Sequence, residues 1–248
     1  MSAFRSVEAA PKLYARTGGA LYLAIIALGA VAEAVRGRVV VPGDPAATAA
    51  HLTSAQALWR LGIGAELAGL VFTVVLAMVF YVLFRPVSRE VNLLATFLRL
   101  AGITVQAVAV TSLVAALAPL AGPGVAGAFS ATQRSALVGL AVDAHQQDFG
   151  LALLLFGVCF QFHGWLIYRS SFLPRTLGVL IVVAGLCYIT NSLALFLAPA
   201  LQDRLYPLIL LPPFVGELSL CLWLLVKGVD AQRWTERWRA ARSGPGAA

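Results

Sequence analysis

The chain has 248 residues, 60% hydrophobic and only 12% charged, with a mean hydropathy of +0.86. Such a composition excludes an ordinary water-soluble domain. The formal charge of +7 does not mark a nucleic-acid partner: the basic residues fall in short clusters between apolar runs, as membrane topology determinants do.

Residues 1–17 read as a basic N-terminus carrying Arg5, Lys12 and Arg16. An apolar stretch over residues 18–35 follows. Its basic flank and Ala30-Val31-Ala32 have the form of a signal peptide with a cleavage site. The stretch exceeds a typical signal core, however, and Tyr22 and Gly29 suit a packed helix, so it is read as a retained first span. In the loop that follows, Asp44 is placed to cap a short helix with Pro45 at its first position. A second span, 57–84, ends at the basic turn Arg85-Pro86-Val87-Ser88-Arg89, where proline cannot continue the backbone ladder. The third span is 92–117. The longest loop, 119–147, contains a break at Gly122-Pro123-Gly124 and a capping box, Ser130 to Gln133, that opens a short amphipathic helix.

Spans four and five, 149–168 and 176–198, form a hairpin. Each run has about 20 residues, enough to cross a hydrocarbon core of roughly 30 Å. Their short connector carries Arg169 and Arg175. A turn at 200–205 leads to the sixth span, 206–226, which Pro212-Pro213 is expected to interrupt. The basic tail, 229–248, sets Trp234 and Trp238 on one helical face. That pattern suits a helix lying on anionic lipid or docking a partner. Residues 18–228 therefore read as one transmembrane domain.

Twelve of the 18 basic residues lie at the N-terminus, in the second and fourth loops and in the tail. Five lie on the other side, and Arg99 falls inside a span. This asymmetry predicts an all-α integral membrane protein: a multi-pass, six-transmembrane-helix bundle with N and C termini cytoplasmic. Small residues recur seven apart in four spans, as in Gly150, Gly157 and Gly164, and in Gly178, Gly185 and Ser192. Such seams bring helices together by close approach and offer faces for an oligomer. Cys159, Cys187 and Cys221 all lie in apolar runs, with no metal-ligand spacing and no disulfide framework.

Several strings resemble a bacterial multispanning family known as domain of unknown function 4386. They include Trp59-Arg60-Leu61-Gly62, Phe84-Arg85-Pro86-Val87, and Gly164-Trp165-Leu166-Ile167-Tyr168-Arg169-Ser170 with Leu173-Pro174-Arg175-Thr176-Leu177-Gly178. The resemblance implies a six-helix membrane protein, with a bacterial inner membrane as its expected place, and no particular reaction, cofactor or catalytic residue.

Charge inside a bilayer is costly, so each intramembrane charge is a candidate for function. Glu217 falls near the middle of the sixth span, beside the prolines, in the style of a broken-helix site. Glu33, Arg36, Arg60 and Glu66 fall in the outer halves of the first two spans. Arg60 and Glu66 are about 240° apart around one helix, so Arg60 is expected to pair with Glu33 across helices. Gln106 and Asn191 complete a candidate polar cavity with Glu217, Glu66, Arg60 and Glu33. His163 with Cys159 reads as a satisfied interfacial histidine, and Arg99 as a snorkelling side chain. No metal site, cofactor motif, nucleotide loop or hydrolase signature is present. Three functions follow as expectations: binding or passing a small ligand or ion through the cavity, intramembrane catalysis on a lipidic substrate, or a structural or sensory subunit. The partners implied are membrane lipids and a small ligand or ion.

Overall fold

A computed structural model describes residues 10–121 and 125–243. The Gly122-Pro123-Gly124 break and Arg5 lie outside them. The described residues are helical, with no strand among them. We number the α-helices α1 (Pro11–Val39), α2 (Pro45–Ser54), α3 (Gln56–Phe84), α4 (Arg89–Ala115), α5 (Ala131–Arg169), α6 (Arg175–Leu197), α7 (Pro199–Leu205), α8 (Leu211–Val226) and α9 (Ala231–Ser243). Among the described residues six segments are long and apolar enough to cross a membrane: α1, α3, α4 with its 3-10 extension to Leu120, α5, α6, and α8 with the preceding 3-10 turn from Leu208. The chain is a multi-pass, all-α membrane protein.

Local chemistry sets the helix starts. Asp44 accepts a hydrogen bond from the Ala47 N–H at 2.9 Å, and Pro45 follows it in the first turn. Ser130 and Gln133 exchange reciprocal bonds at 2.8 and 3.3 Å, closing the expected capping box. That box does not open a separate short helix. It opens α5, which runs unbroken for 39 residues, about 58 Å at 1.5 Å per residue. No proline lies between Ala131 and Arg169, so nothing ends the helix before the span begins. The residues read as a turn at 200–205 are likewise helical. Pro212-Pro213 does not interrupt a helix. The pair sits in the first turn of α8, where the missing N–H groups would have had no helical partner anyway.

The chain divides into two compact units: residues 1–24, 72–102 and 153–248 in the first, and 25–71 and 103–152 in the second. In the first unit, α5 and α6 cross at two glycine pairs. A Cβ on Gly178 would lie 2.6 Å from the Gly164 carbonyl oxygen, and one on Gly185 would lie 2.6 Å from that of Gly157. The two seams read from the sequence therefore face each other, and only hydrogen fits between the backbones.

The tail also belongs to this unit. Trp234 is wholly buried, donates its indole N–H to the Leu83 carbonyl at 3.0 Å, and stacks on Trp238 at 5.3 Å. Arg233 and Arg237 donate to the Ser171 and Arg169 carbonyls. The aromatic face expected to lie on lipid is thus turned into the protein.

In the second unit, the Trp59 indole N–H donates to the Leu113 carbonyl at 3.0 Å, tying α3 to α4. Val35 packs on Gly62, where an added Cβ would meet it at 3.0 Å.

Candidate functional site

Glu217 lies midway along α8 and accepts two phenolic hydrogen bonds. Tyr22 of α1 donates to Oε2 at 2.8 Å, and Tyr188 of α6 donates to Oε1. Both carboxylate oxygens are therefore engaged by neutral donors, which suits an acid held in a poorly solvated place. Tyr22 continues the contact chain by meeting the Phe80 ring edge-on at 6.1 Å, and Tyr188 meets the Phe160 ring at 5.8 Å. Between these two phenylalanines sits the guanidinium of Arg99, 5.3 Å from the Phe80 ring centre and 5.8 Å from that of Phe160.

The contacts close on themselves: Glu217, Tyr22, Phe80, Arg99, Phe160, Tyr188 and back to Glu217. Each of the six membrane-crossing helices supplies one member. All six residues belong to the first unit.

Arg99 is 4% exposed. The sequence reading had its side chain snorkelling to the headgroups; the structure holds it inside. Two aromatic faces solvate the cation, and Glu217 and Tyr22 lie within its Coulombic reach. No carboxylate within 4.0 Å forms an ion pair with it among the described residues. Its Nε–H is buried without a hydrogen-bond partner among the described residues, although the Cys159 side chain adjoins the guanidinium.

His163 stands against the same Phe80 ring, 5.5 Å between centres, and against Phe84. It is not the satisfied histidine expected. The Cys159 thiol donates to the Ala95 carbonyl at 3.2 Å, and the Cys159 sulfur lies 3.1 Å from His163 Nδ1. With the thiol hydrogen committed to the carbonyl, the sulfur accepts and Nδ1 carries the hydrogen. In the neutral ring Nε2 is then a bare acceptor, and it too is buried without a partner among the described residues. Beside Phe80 the protein thus offers one unused donor, Arg99 Nε–H, and one unused acceptor, His163 Nε2. Asn191, 5% exposed and three residues beyond Tyr188 on α6, leaves its Oδ1 unpartnered.

The remaining candidates lie in the second unit. Glu66 is buried, but its partner is Arg36 and not Arg60. Arg36 also donates to Glu33 at 2.7 Å, joining two acids through one cation. Arg60 is exposed and has no polar partner among the described residues. The expected Arg60–Glu33 pair is therefore replaced by pairs through Arg36, which shares a helix face with Glu33 at i, i+3. Gln106 is half-buried in the same unit. Of the six residues singled out in the sequence, Glu217 and Asn191 share one unit, and Glu66, Arg60, Glu33 and Gln106 the other. His145, missed in the sequence, adjoins Glu66: its Nε2 lies 3.9 Å from Oε1.

This is the architecture of a multi-pass membrane protein with a polar circuit enclosed by its spans. Residues 17–228 match the family described as "Domain of unknown function (DUF4386)", and the chain belongs to it. It is also similar to an "Uncharacterized protein" of Archaeoglobus fulgidus, 26% identical over 160 residues that cover 64% of this chain and 78% of that protein. No solved structure matches.

Proposed function

We propose that this protein binds a small, membrane-soluble ligand at the circuit around Arg99 and Glu217. The observation that carries the reading is the buried cation with an unused donor, set beside a histidine with an unused acceptor. Leaving such groups unpaired inside a protein costs about 1 to 3 kcal/mol each, a cost that a bound molecule removes. The polar end of the ligand carries an oxygen acceptor for Arg99 Nε–H and a hydrogen-bond donor for His163 Nε2. A hydroxyl, a carboxamide or a protonated carboxyl meets both demands. Its body is apolar, because Phe80, Phe84 and Phe160 are the rings that meet the two groups. Glu217 and Tyr188 keep part of their surface exposed midway along α8 and α6, where the surroundings are hydrocarbon. The ligand therefore arrives laterally through the bilayer. The basic asymmetry of the loops supports cytoplasmic termini with anionic lipid at the basic ends, and the family resemblance suggests a bacterial inner membrane.

The test is to purify the full chain in nanodiscs of one synthetic phospholipid and profile the small molecules released on denaturation. Wild type is compared with Arg99→Leu, His163→Phe and the surface control Arg60→Gln. The reading expects one compound class enriched in wild type and Arg60→Gln and depleted in the other two. Equal profiles in all four proteins would overturn it.

A further inference from the structure

The second unit holds a cluster that the ligand site does not use. His145 is buried on α5, and its Nδ1 lies 2.9 Å from the Ala109 carbonyl oxygen of α4. A carbonyl only accepts, so Nδ1 carries the hydrogen. In the neutral ring Nε2 then presents a lone pair. That nitrogen lies 3.9 Å from Glu66 Oε1 of α3. The other carboxylate oxygen, Oε2, is buried with no partner among the described residues. Two acceptors therefore adjoin each other in a buried place, and of the two the Arg36 donor serves only the glutamate oxygen.

The surrounding charges leave the same deficit. Arg36 of α1 is bonded to both Glu66 and Glu33. With His145 neutral, two carboxylates and one guanidinium sum to one negative charge, and one proton brings the group to zero. These three residues are the charged groups within Coulombic reach of the ring. On α5 itself, Asp148 accepts a hydrogen bond from the Ser112 hydroxyl of α4 at 3.4 Å, and Asp143 is exposed. Phe149 stacks along the ring at 6.0 Å with 16° between planes and contributes no charge.

We infer that His145 and Glu66 form a proton-binding site, in which a proton taken up on His145 Nε2 is held against the Glu66 carboxylate. Protonation turns an acceptor–acceptor contact into a charge-assisted donor–acceptor pair. It also gives the idle oxygen of Glu66 a donor within reach of a small side-chain rotation. A metal ion fits less well, because the Arg36 guanidinium already occupies Oε1, the oxygen nearest Nε2. The site lies in the second unit and does not depend on the ligand reading.

The chain has three histidines, so nitrogen spectra of 15N-histidine-labelled protein in nanodiscs are assigned by subtraction with His145→Gln. Three results are expected. At alkaline pH His145 shows the Nδ1–H tautomer. On titration from about pH 8 down to about pH 4 it gains a second proton. In Glu66→Gln the midpoint falls by about 1 to 3 pH units. Arg36→Gln moves the midpoint the other way and serves if Glu66→Gln fails to fold, while His163 keeps its behaviour in both. An Nε2–H tautomer at alkaline pH, a ring that stays neutral throughout that range, or a midpoint indifferent to both substitutions would each overturn the inference. The first two outcomes need only wild type and His145→Gln.

Discussion

Removing the Tyr22 hydroxyl tests whether Glu217 is the anchor of the circuit. Tyr22→Phe deletes one oxygen and leaves Oε2 without its 2.8 Å donor, while the buried ring keeps its edge contact with Phe80. Hydrogen bonds between membrane helices are worth about 0.6 kcal/mol on average, with an upper end near about 1.7. A bond to an ionised acceptor is stronger, about 1.5 to 3 kcal/mol in proteins generally. The structure favours the upper end, because Glu217 has a second phenolic donor and a cation within reach. We therefore expect a coupling of about 1 to 2 kcal/mol between Tyr22 and Glu217. It is measured by a double-mutant cycle of Tyr22→Phe and Glu217→Leu, using reversible unfolding in mixed micelles titrated with dodecyl sulfate. Leucine is chosen because it cannot accept from the remaining phenol. The cycle with Tyr188→Phe should give a similar value. A coupling below about 0.5 kcal/mol, the ordinary scatter of additivity, in both cycles would refute the reasoning.

Other substitutions probe the frame. Gly178→Val drives a side chain into the Gly164 carbonyl and should destabilise the protein by about 3 kcal/mol or more. Gly29→Ala, where nothing lies within 4 Å of the added carbon, should be neutral or stabilising by up to about 1 kcal/mol; both are read in the same unfolding assay. Trp234→Ala removes a buried indole and its bond to Leu83, costing about 3 to 5 kcal/mol. It should also release α9, seen as faster trypsin cleavage at Arg237 and Arg239. Arg60→Gln should change stability by no more than about 0.5 kcal/mol, because the side chain is exposed; a large loss would show a partner outside the described residues.

The spans were legible because length and hydropathy alone decide whether a segment can cross hydrocarbon. Helix starts were legible where a side chain meets its own backbone, as at Asp44 and Ser130. The continuity of α5 was not, because a polar run of helix-compatible residues looks like a loop when the eye follows hydropathy. Pro212-Pro213 was misread for a related reason: the same two residues break a helix in its middle and begin one at its end, and only the fold says which.

At the site, Glu217 stood out as an acid at mid-span. Its partners did not, since a tyrosine in a span is commonplace until a carboxylate is placed beside its hydroxyl. Arg99 looked like a snorkelling residue because nothing in its neighbourhood on the chain announces Phe80 or Phe160. Arg36 and Glu66 were both placed in the outer halves of their spans, but the bond between them depends on helix rotation, which local spacing does not encode. His145 was read as part of a loop and therefore not considered as a partner for an acid on α3.

The central claim is that six membrane-crossing helices each give one side chain to a closed circuit holding a cation and an acid inside the protein. A density map of the full chain in nanodiscs, detailed enough to show ordered water, tests it most directly. The account predicts Arg99 between Phe80 and Phe160, Glu217 bonded to Tyr22 and Tyr188, and a non-protein feature larger than water touching Arg99 Nε and His163 Nε2. A map with Arg99 extended to the headgroups, or Glu217 turned away from both tyrosines, would contradict it.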